Sequence, residues 1–115
     1  MTGYNLVLLN AFPVNAFPYD IFTVAFMREE VSNLAKDVVL AESVKCFIRH
    51  PATVELLNTL LKVKLEPSSE LYRYSTNDII YIITLKSPER GKETAKLSLD
   101  DLLIYRVIVA EGSWL

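Results

Sequence analysis

A run of mostly apolar residues from Ile79 to Leu85 dictates that this chain contains a β-sheet. The run is built from isoleucine, tyrosine, threonine and leucine, and β-branched and aromatic residues are enriched in strands. Apolar side chains occupy both alternating faces of the run, which is typical of a strand that is covered on both sides. The run therefore predicts a central strand.

The segment immediately before this run predicts its partner. From Glu70 to Tyr74, Leu71 and Arg73 alternate with Tyr72 and Tyr74, which is the period of a strand. Residues 76–78, Thr-Asn-Asp, are suited to a turn. We therefore predict an antiparallel hairpin that joins residues 70–74 to the central strand.

The remaining pattern completes an α+β domain. The elements predicted from it are a central strand at 4–10, a two-proline loop at 11–18, a strand at 20–27, a short helix at 28–35, a connection or short strand at 62–66, a capped helix at 98–103 and a last strand at 105–110. Residues 36–45 fit either a continued helix or a strand. The sequence thus predicts one domain over residues 1–115, with a mixed sheet of about five strands and helices on one face.

One helix has an unusually well-defined start, at His50 and Pro51. Proline fixes its own φ, disfavours the α region for the residue before it, and suits the first position of a helix. Val54, Leu57 and Leu61 then recur at helical spacing. The sequence therefore predicts His50 as the N-cap of a helix that begins at Pro51.

This helix start carries the chemistry that the sequence offers. Ala52 and Thr53 are expected to keep free backbone N–H groups in the first turn, and such groups favour phosphate. His50, the only histidine, carries an imidazole that suits general acid–base catalysis on a phosphodiester. The alternative is that His50 is a surface cap and nothing more.

Composition limits the possible partners. The chain has 12 Lys and Arg against 14 Asp and Glu, and its pI of about 5.4 argues against a general duplex-binding protein. A hydrophobic fraction of 51% suggests that some apolar surface is buried between subunits. With one His and one Cys, neither a disulfide framework nor a standard zinc site is expected, and no cofactor is predicted. No run is apolar enough to predict a membrane span, and no signal peptide is expected.

Four places in the chain together resemble one known family. They are Leu9-Asn10-Ala11-Phe12 with Asn15, then Ile48-Arg49-His50-Pro51-Ala52-Thr53, then the strand and charged Gly-Lys loop from Ile82 to Lys92, and the last strand from Tyr105 to Ala110. In order and length of elements, nearly the whole chain is similar to the viral ring nucleases. These are anti-CRISPR proteins of archaeal viruses and bacterial mobile elements.

The resemblance implies a function, a ligand and an assembly. Members of that family form two-fold homodimers in the infected host cell, where they bind cyclic tetra-adenylate, the second messenger of type III CRISPR defence. They cut it without a metal, leave 2′,3′-cyclic phosphate ends, and so silence the defence. The resemblance assigns the catalytic histidine to His50. It extends substrate binding to Asn10, Asn15, Arg90 and Lys92. The helix start adds Ala52 and Thr53 as expected binding residues, and Arg49 is added as a departure from the family pattern. Asn10 and Asn15 also suit turns.

The sequence also departs from the family pattern. Arg49 stands where the family has glycine, and Ser68-Ser69 stand where it has Asn-Arg. In the charged loop, Ser87 and Arg90 replace the family's arginine and glutamate when Gly91-Lys92 is aligned. Arg49 and Arg90 are suited to supply the missing positive charge, because guanidinium groups bind phosphate well. Two alternatives follow: a weakened relative that binds the ring without cutting it, or a non-enzymatic viral interaction dimer.

Overall fold

The computed structural model describes residues 3–86 and 97–112. Their order is β1 (Asn5–Leu9), a 3₁₀ turn (Val14–Ala16), β2 (Phe22–Arg28), α1 (Val31–Leu40), β3 (Ser43–Cys46), α2 (Pro51–Leu61), β4 (Asp78–Leu85), a second 3₁₀ turn (Leu99–Asp101) and β5 (Leu102–Glu111). The α+β class predicted from the sequence is confirmed.

The strands form one mixed five-stranded sheet among the described residues, in the order β2-β5-β4-β1-β3. β1 pairs in parallel with both β3 and β4, whereas β5 pairs antiparallel with both β4 and β2. β4 is therefore the central strand, as its apolar sequence predicted. Because β1, β3 and β4 run the same way, their carboxyl ends lie together at one edge of the sheet.

Both α-helices cover the same face of the sheet, as predicted. Leu34 of α1 and Leu57 of α2 are fully buried against Leu6, Tyr81 and neighbouring strand residues. Among the described residues, the opposite face is covered by loops and the first 3₁₀ turn rather than by an α-helix. Its buried cluster combines strand residues with side chains from the loops, listed here as Val7, Leu9, Ala16, Phe17, Tyr72, Ile80, Ile82 and Val107.

The predicted hairpin is wrong. Residues 70–74 form no strand, because both edges of β4 are already paired, one with β1 and the other with β5. The alternating aromatic side chains instead pack onto the face of the sheet opposite α1 and α2, where Tyr72 is buried and Tyr74 half-buried. The Tyr74 N–H donates to the Ala16 carbonyl at 3.0 Å, and this bond ties the segment to the first 3₁₀ turn.

Several predicted boundaries also need correction. The helix predicted at 28–35 is α1 at Val31–Leu40, because Arg28 pairs with Tyr105 in the sheet. The ambiguous residues 36–45 divide between the end of α1 and the start of β3. The helix predicted at 98–103 is only a 3₁₀ turn, although its Ser98–Asp101 capping box is present.

Polar side chains fix the register at the amino ends of the parallel strands. Asn5 Nδ2 donates to Asp78 Oδ1 at 3.3 Å, and Ser43 Oγ donates to Asn5 Oδ1 at 2.7 Å. The three residues are direct neighbours across β4, β1 and β3. A shift of one residue would break both hydrogen bonds and turn the buried side chains to the other face.

Candidate functional site

A groove lies where the chain leaves β1 and β3, at the carboxyl edge of the parallel strands. Ligands of open sheets with parallel strands commonly bind at this edge. The groove has a volume of about 270 Å³. It is lined by Leu9, Asn10, Ala11, Phe12, Pro13, Phe47, Arg49, Glu70, Leu71 and Tyr72.

Besides Tyr72, two phenylalanine rings belong to the lining, and each is held by other rings. Phe12 stacks on Phe17 with ring centroids 5.2 Å apart and meets Phe26 edge-on at 5.6 Å. Phe47 meets Tyr72 edge-on at 5.3 Å. These contacts fix both rings before any ligand binds, so little side-chain entropy would be lost on binding.

Three polar side chains of the lining remain available. Asn10, Arg49 and Glu70 are exposed, and their side chains form no hydrogen bond or ion pair with any described residue. The Tyr72 hydroxyl, by contrast, donates to Asp78 Oδ2 at 2.5 Å. Burial and this hydrogen bond raise the Tyr72 pKa far above its usual value, so the phenol stays neutral.

His50 follows Arg49 directly and caps α2, as the sequence predicted. Its backbone is extended, with φ −77° and ψ 109°, and Pro51 opens the helix. Nδ1 accepts the Thr53 N–H at 3.3 Å and lies 3.0 Å from Thr53 Oγ1. The expectation of a free Thr53 N–H is therefore wrong, because the imidazole occupies it; the Thr53 side chain is also buried.

The second ring nitrogen of His50 has no partner among the described residues. Nε2 is buried and forms no hydrogen bond with any part of the chain that the structure describes. Since Nδ1 accepts in the cap, the neutral ring carries its proton on Nε2. The ring thus holds a proton that no described residue accepts, and the chain itself covers that proton.

The other predicted site residues fall into three groups. Asn10 and Arg49 meet in the groove, and half-buried Ala52 lies in the first turn of α2 beside His50. Asn15 is exposed in the first 3₁₀ turn and does not line the groove. Arg90 and Lys92 lie outside the described residues, as does Ser87.

Sequence reasoning missed the aromatic and acidic part of the groove. Phe47 lies in the loop directly after β3, and binding residues are often found in such loops. This position in the sequence could have identified Phe47 as a candidate site residue. Glu70 and Tyr72 were assigned to a strand that does not exist, so no signal in the sequence placed them near Asn10.

Two further chemical features bear on the site. Burial raises the pKa of the Cys46 thiol, which disfavours the nucleophilic thiolate. Among residues 3–86 and 97–112, no cluster of three or more His, Cys, Asp or Glu residues could hold a metal ion. Within the same ranges, no helix is both long and apolar enough to cross a membrane.

Two comparisons with known proteins find a match, one by sequence and one by structure. A sequence model described as STIV B116-like matches residues 6–107. Among solved structures, the chain is similar to B116 of Sulfolobus turreted icosahedral virus, with a TM-score of 0.69 and 20% sequence identity. That match covers 91% of this chain and 98% of B116. A search of curated protein sequences finds no significant match.

Proposed function

The chain belongs to the STIV B116-like family, and on that premise we propose that it is a metal-independent ring nuclease that cleaves cyclic tetra-adenylate. Linear products with 2′,3′-cyclic phosphate ends would result, and type III CRISPR signalling in the cytoplasm of the infected host cell would be suppressed. A family named for a protein of an archaeal virus is a fitting source of such an activity.

One juxtaposition carries the proposal. Asn10 and Arg49 line the same groove, and His50 is the next residue along the chain from Arg49. The groove therefore offers an amide for a base or sugar and a guanidinium for a phosphate. The imidazole of His50 follows Arg49 in the chain but does not line the groove. These three groups are the ones that a metal-independent cut at a ribonucleotide needs.

The reaction is an internal transesterification. The ribose 2′-oxygen bonds to the adjacent phosphorus as the bond from phosphorus to the 5′-oxygen breaks, and the 2′-hydroxyl proton passes to solvent. His50 would act as the imidazolium, donating the Nε2 proton to the departing 5′-oxygen, becoming neutral and then regaining a proton from water. Because the imidazolium carries its other proton on Nδ1, the Nδ1 contact with the Thr53 N–H must open for this step. Because Nε2 is covered in the free chain, ring binding must displace the groups that cover it.

The size of the groove supports a two-fold dimer. About 270 Å³ is below the volume of roughly 300–1,000 Å³ that is usual for a drug-sized ligand. A ring of four nucleotides is much larger than one groove can enclose. Two copies of the chain related by a two-fold axis would present two grooves and two His50 side chains to one ring.

A second function, a sponge that binds the ring without cutting it, is favoured by the state of His50. Nδ1 is occupied by the helix cap and Nε2 is buried, so neither nitrogen meets solvent freely. A histidine kept in this arrangement in the complex would act as a cap alone.

The deciding experiment is incubation with labelled cyclic tetra-adenylate in the presence of a chelator, with products separated by chromatography. Linear products with 2′,3′-cyclic phosphate ends are expected. Binding without any product would establish the sponge. If the protein neither binds nor cleaves the ring, the ring-nuclease and sponge functions are both refuted. Tight, salt-sensitive binding of random duplex DNA would point to a different function.

A further inference from the structure

The hydroxyl of Thr53 lies closer to the imidazole of His50 than the Thr53 backbone N–H does. Oγ1 lies 3.0 Å from Nδ1 of His50, whereas the backbone nitrogen lies 3.3 Å from it. The Thr53 side chain is 3% exposed, and its hydroxyl forms no second hydrogen bond with any described residue. Within the described part of the chain, this buried hydroxyl is therefore committed to one ring nitrogen.

The two Thr53 groups at Nδ1 differ in what they can do when the ring gains a proton. A backbone N–H only donates, so it pairs with Nδ1 only while that nitrogen is unprotonated. A hydroxyl both donates and accepts. It can donate to Nδ1 of the neutral ring and, after rotation about its C–O bond, accept from the Nδ1–H of the imidazolium. Of the two groups, only the hydroxyl suits both forms of the ring.

The surroundings of His50 make this acceptor important. Nε2 is buried without a described partner, and no described Asp, Glu, Lys or Arg side chain forms a hydrogen bond or ion pair with the ring. Arg49 and Glu55, the nearest charged residues before and after His50 in the chain, are both exposed. Since a buried charge without hydrogen bonds is strongly disfavoured, the imidazolium needs the Thr53 oxygen.

We infer that Thr53 is a positioning residue for His50, whose hydroxyl holds Nδ1 in both protonation states and leaves Nε2 to carry the transferable proton. The inference rests on the proposed function, since it names the residue that lets His50 become the general acid. It also gives Thr53 a role through the imidazole, in place of the direct contact with substrate expected from the sequence.

The proton balance of the step follows from this arrangement. On protonation, the contact between Nδ1 and the Thr53 N–H opens, and Nδ1–H donates to Oγ1. The Nε2 proton then passes to the departing 5′-oxygen, while the Nδ1 proton stays on Nδ1 and on Oγ1. Water returns a proton to Nε2. The hydroxyl therefore accepts throughout the turnover and donates only to the resting neutral ring.

The test follows the protonation of His50 in the free protein, so it does not depend on the ring. Because His50 is the only histidine, ¹⁵N labelling of histidine gives NMR signals from its two ring nitrogens alone. At a given pH, the ratio of imidazolium to neutral imidazole should be roughly 10- to 100-fold lower in Thr53→Val than in wild type, because Nδ1–H lacks an acceptor. Thr53→Ser keeps the hydroxyl and should restore the ratio.

A matched control comes from the same helix. The Thr59 hydroxyl donates to the Glu55 carbonyl at 3.2 Å, so Thr59→Val removes a helical hydroxyl away from His50 and should leave the ratio unchanged. If Thr53→Val does not fold, Thr53→Ala carries the same expectation, since it also removes the hydroxyl. Equal ratios in wild type and the hydroxyl-free variant would overturn the inference. A loss in Thr53→Ser as large as that in Thr53→Val would overturn it too.

Cleavage assays separate this inference from the proposed function. If wild type cuts cyclic tetra-adenylate, Thr53→Val should lower kcat with little change in KM, and Thr53→Ser should recover kcat. If the NMR ratio falls in Thr53→Val but wild type never cuts the ring, the role of Thr53 at His50 stands and the ring-nuclease proposal fails. If wild type cuts the ring but the NMR ratio is the same in both proteins, the proposed function survives and the inference is wrong.

Discussion

The Tyr81 hydroxyl donates a 2.6 Å hydrogen bond to Oδ2 of Asp37, and this bond ties the central strand β4 to α1. Tyr81 is fully buried. Tyr4 adds a second link to the same residue, because its hydroxyl lies 3.3 Å from Asp37 Oδ1. The helix layer is thus held to the sheet by a carboxylate as well as by apolar contacts.

Removing the Tyr81 hydroxyl should destabilise the fold. Tyr81→Phe leaves the buried ring in place but deprives the Asp37 carboxylate of its shortest hydrogen bond. We expect the free energy of unfolding to fall by roughly 1–3 kcal/mol, measured by urea denaturation. Tyr19→Phe is the control, since the Tyr19 hydroxyl has no hydrogen bond to any described residue. Equal stability of the two variants would contradict the role given to this contact.

Alkaline pH should destabilise the protein through Tyr72 and Tyr81. Burial, followed by hydrogen bonding to Asp78 and Asp37 respectively, raises the pKa of both phenols above the usual value of about 10. In the unfolded chain they ionise near pH 10, whereas the folded chain keeps them protonated. Their contribution is therefore complete below pH 10 and is lost as the pH rises above it.

The measurement is the free energy of unfolding as a function of pH. The decline above pH 10 should be shallower in Tyr81→Phe and Tyr72→Phe than in wild type, because each variant has one fewer group to ionise on unfolding. A parallel decline in all three proteins would rule out these tyrosines as its cause.

Two substitutions of His50 separate its cap role from proton donation. Asparagine is a good N-cap, so His50→Asn should preserve stability, whereas His50→Ala should lose about 1 kcal/mol. If His50 is the general acid, both variants should cut cyclic tetra-adenylate roughly 10²–10⁴-fold more slowly. Ring binding by His50→Asn should remain close to wild type. Full cleavage by His50→Asn would mean that His50 is only a cap.

Arg49→Ala should weaken binding of the ring. The guanidinium lines the groove and has no partner within the described residues, so its removal would cost a charge-assisted contact to phosphate, roughly tenfold or more in affinity. Arg73→Ala removes an exposed arginine outside the groove and serves as the control. Isothermal titration with cyclic tetra-adenylate measures both. If the two variants bind alike, Arg49 does not contact the ligand.

The protein should sediment as a two-fold dimer at micromolar concentration. The reasons are the small volume of one groove and the exposed apolar residues on β2 and β5, where Phe26, Met27 and Ile108 are each at least 42% exposed. Sedimentation equilibrium with and without the ring tests this. A monomer under both conditions would rule out the shared-ligand arrangement.

Local physics made the start of α2 predictable. The restriction that Pro51 imposes on His50, and the cap that His50 gives to a residue three positions later, act within one helical turn. The Ser98–Asp101 capping box was visible for the same reason. The helix predicted to follow this capping box does not form, because the apolar residues from Leu102 onward pair with β4 instead of continuing the turn.

The sequence alone determined that β4 is central, that α2 starts at Pro51, and that the domain mixes helices and strands, because these depend on side-chain periodicity and backbone restriction over a few residues. Only the tertiary structure decided which strands flank β4. The Asn5–Asp78 contact joins residues 73 positions apart, and such pairing excludes residues 70–74 from the sheet. That exclusion places Glu70 beside Asn10 and Arg49. Competition for strand edges between distant segments leaves no local signal, and it created the groove.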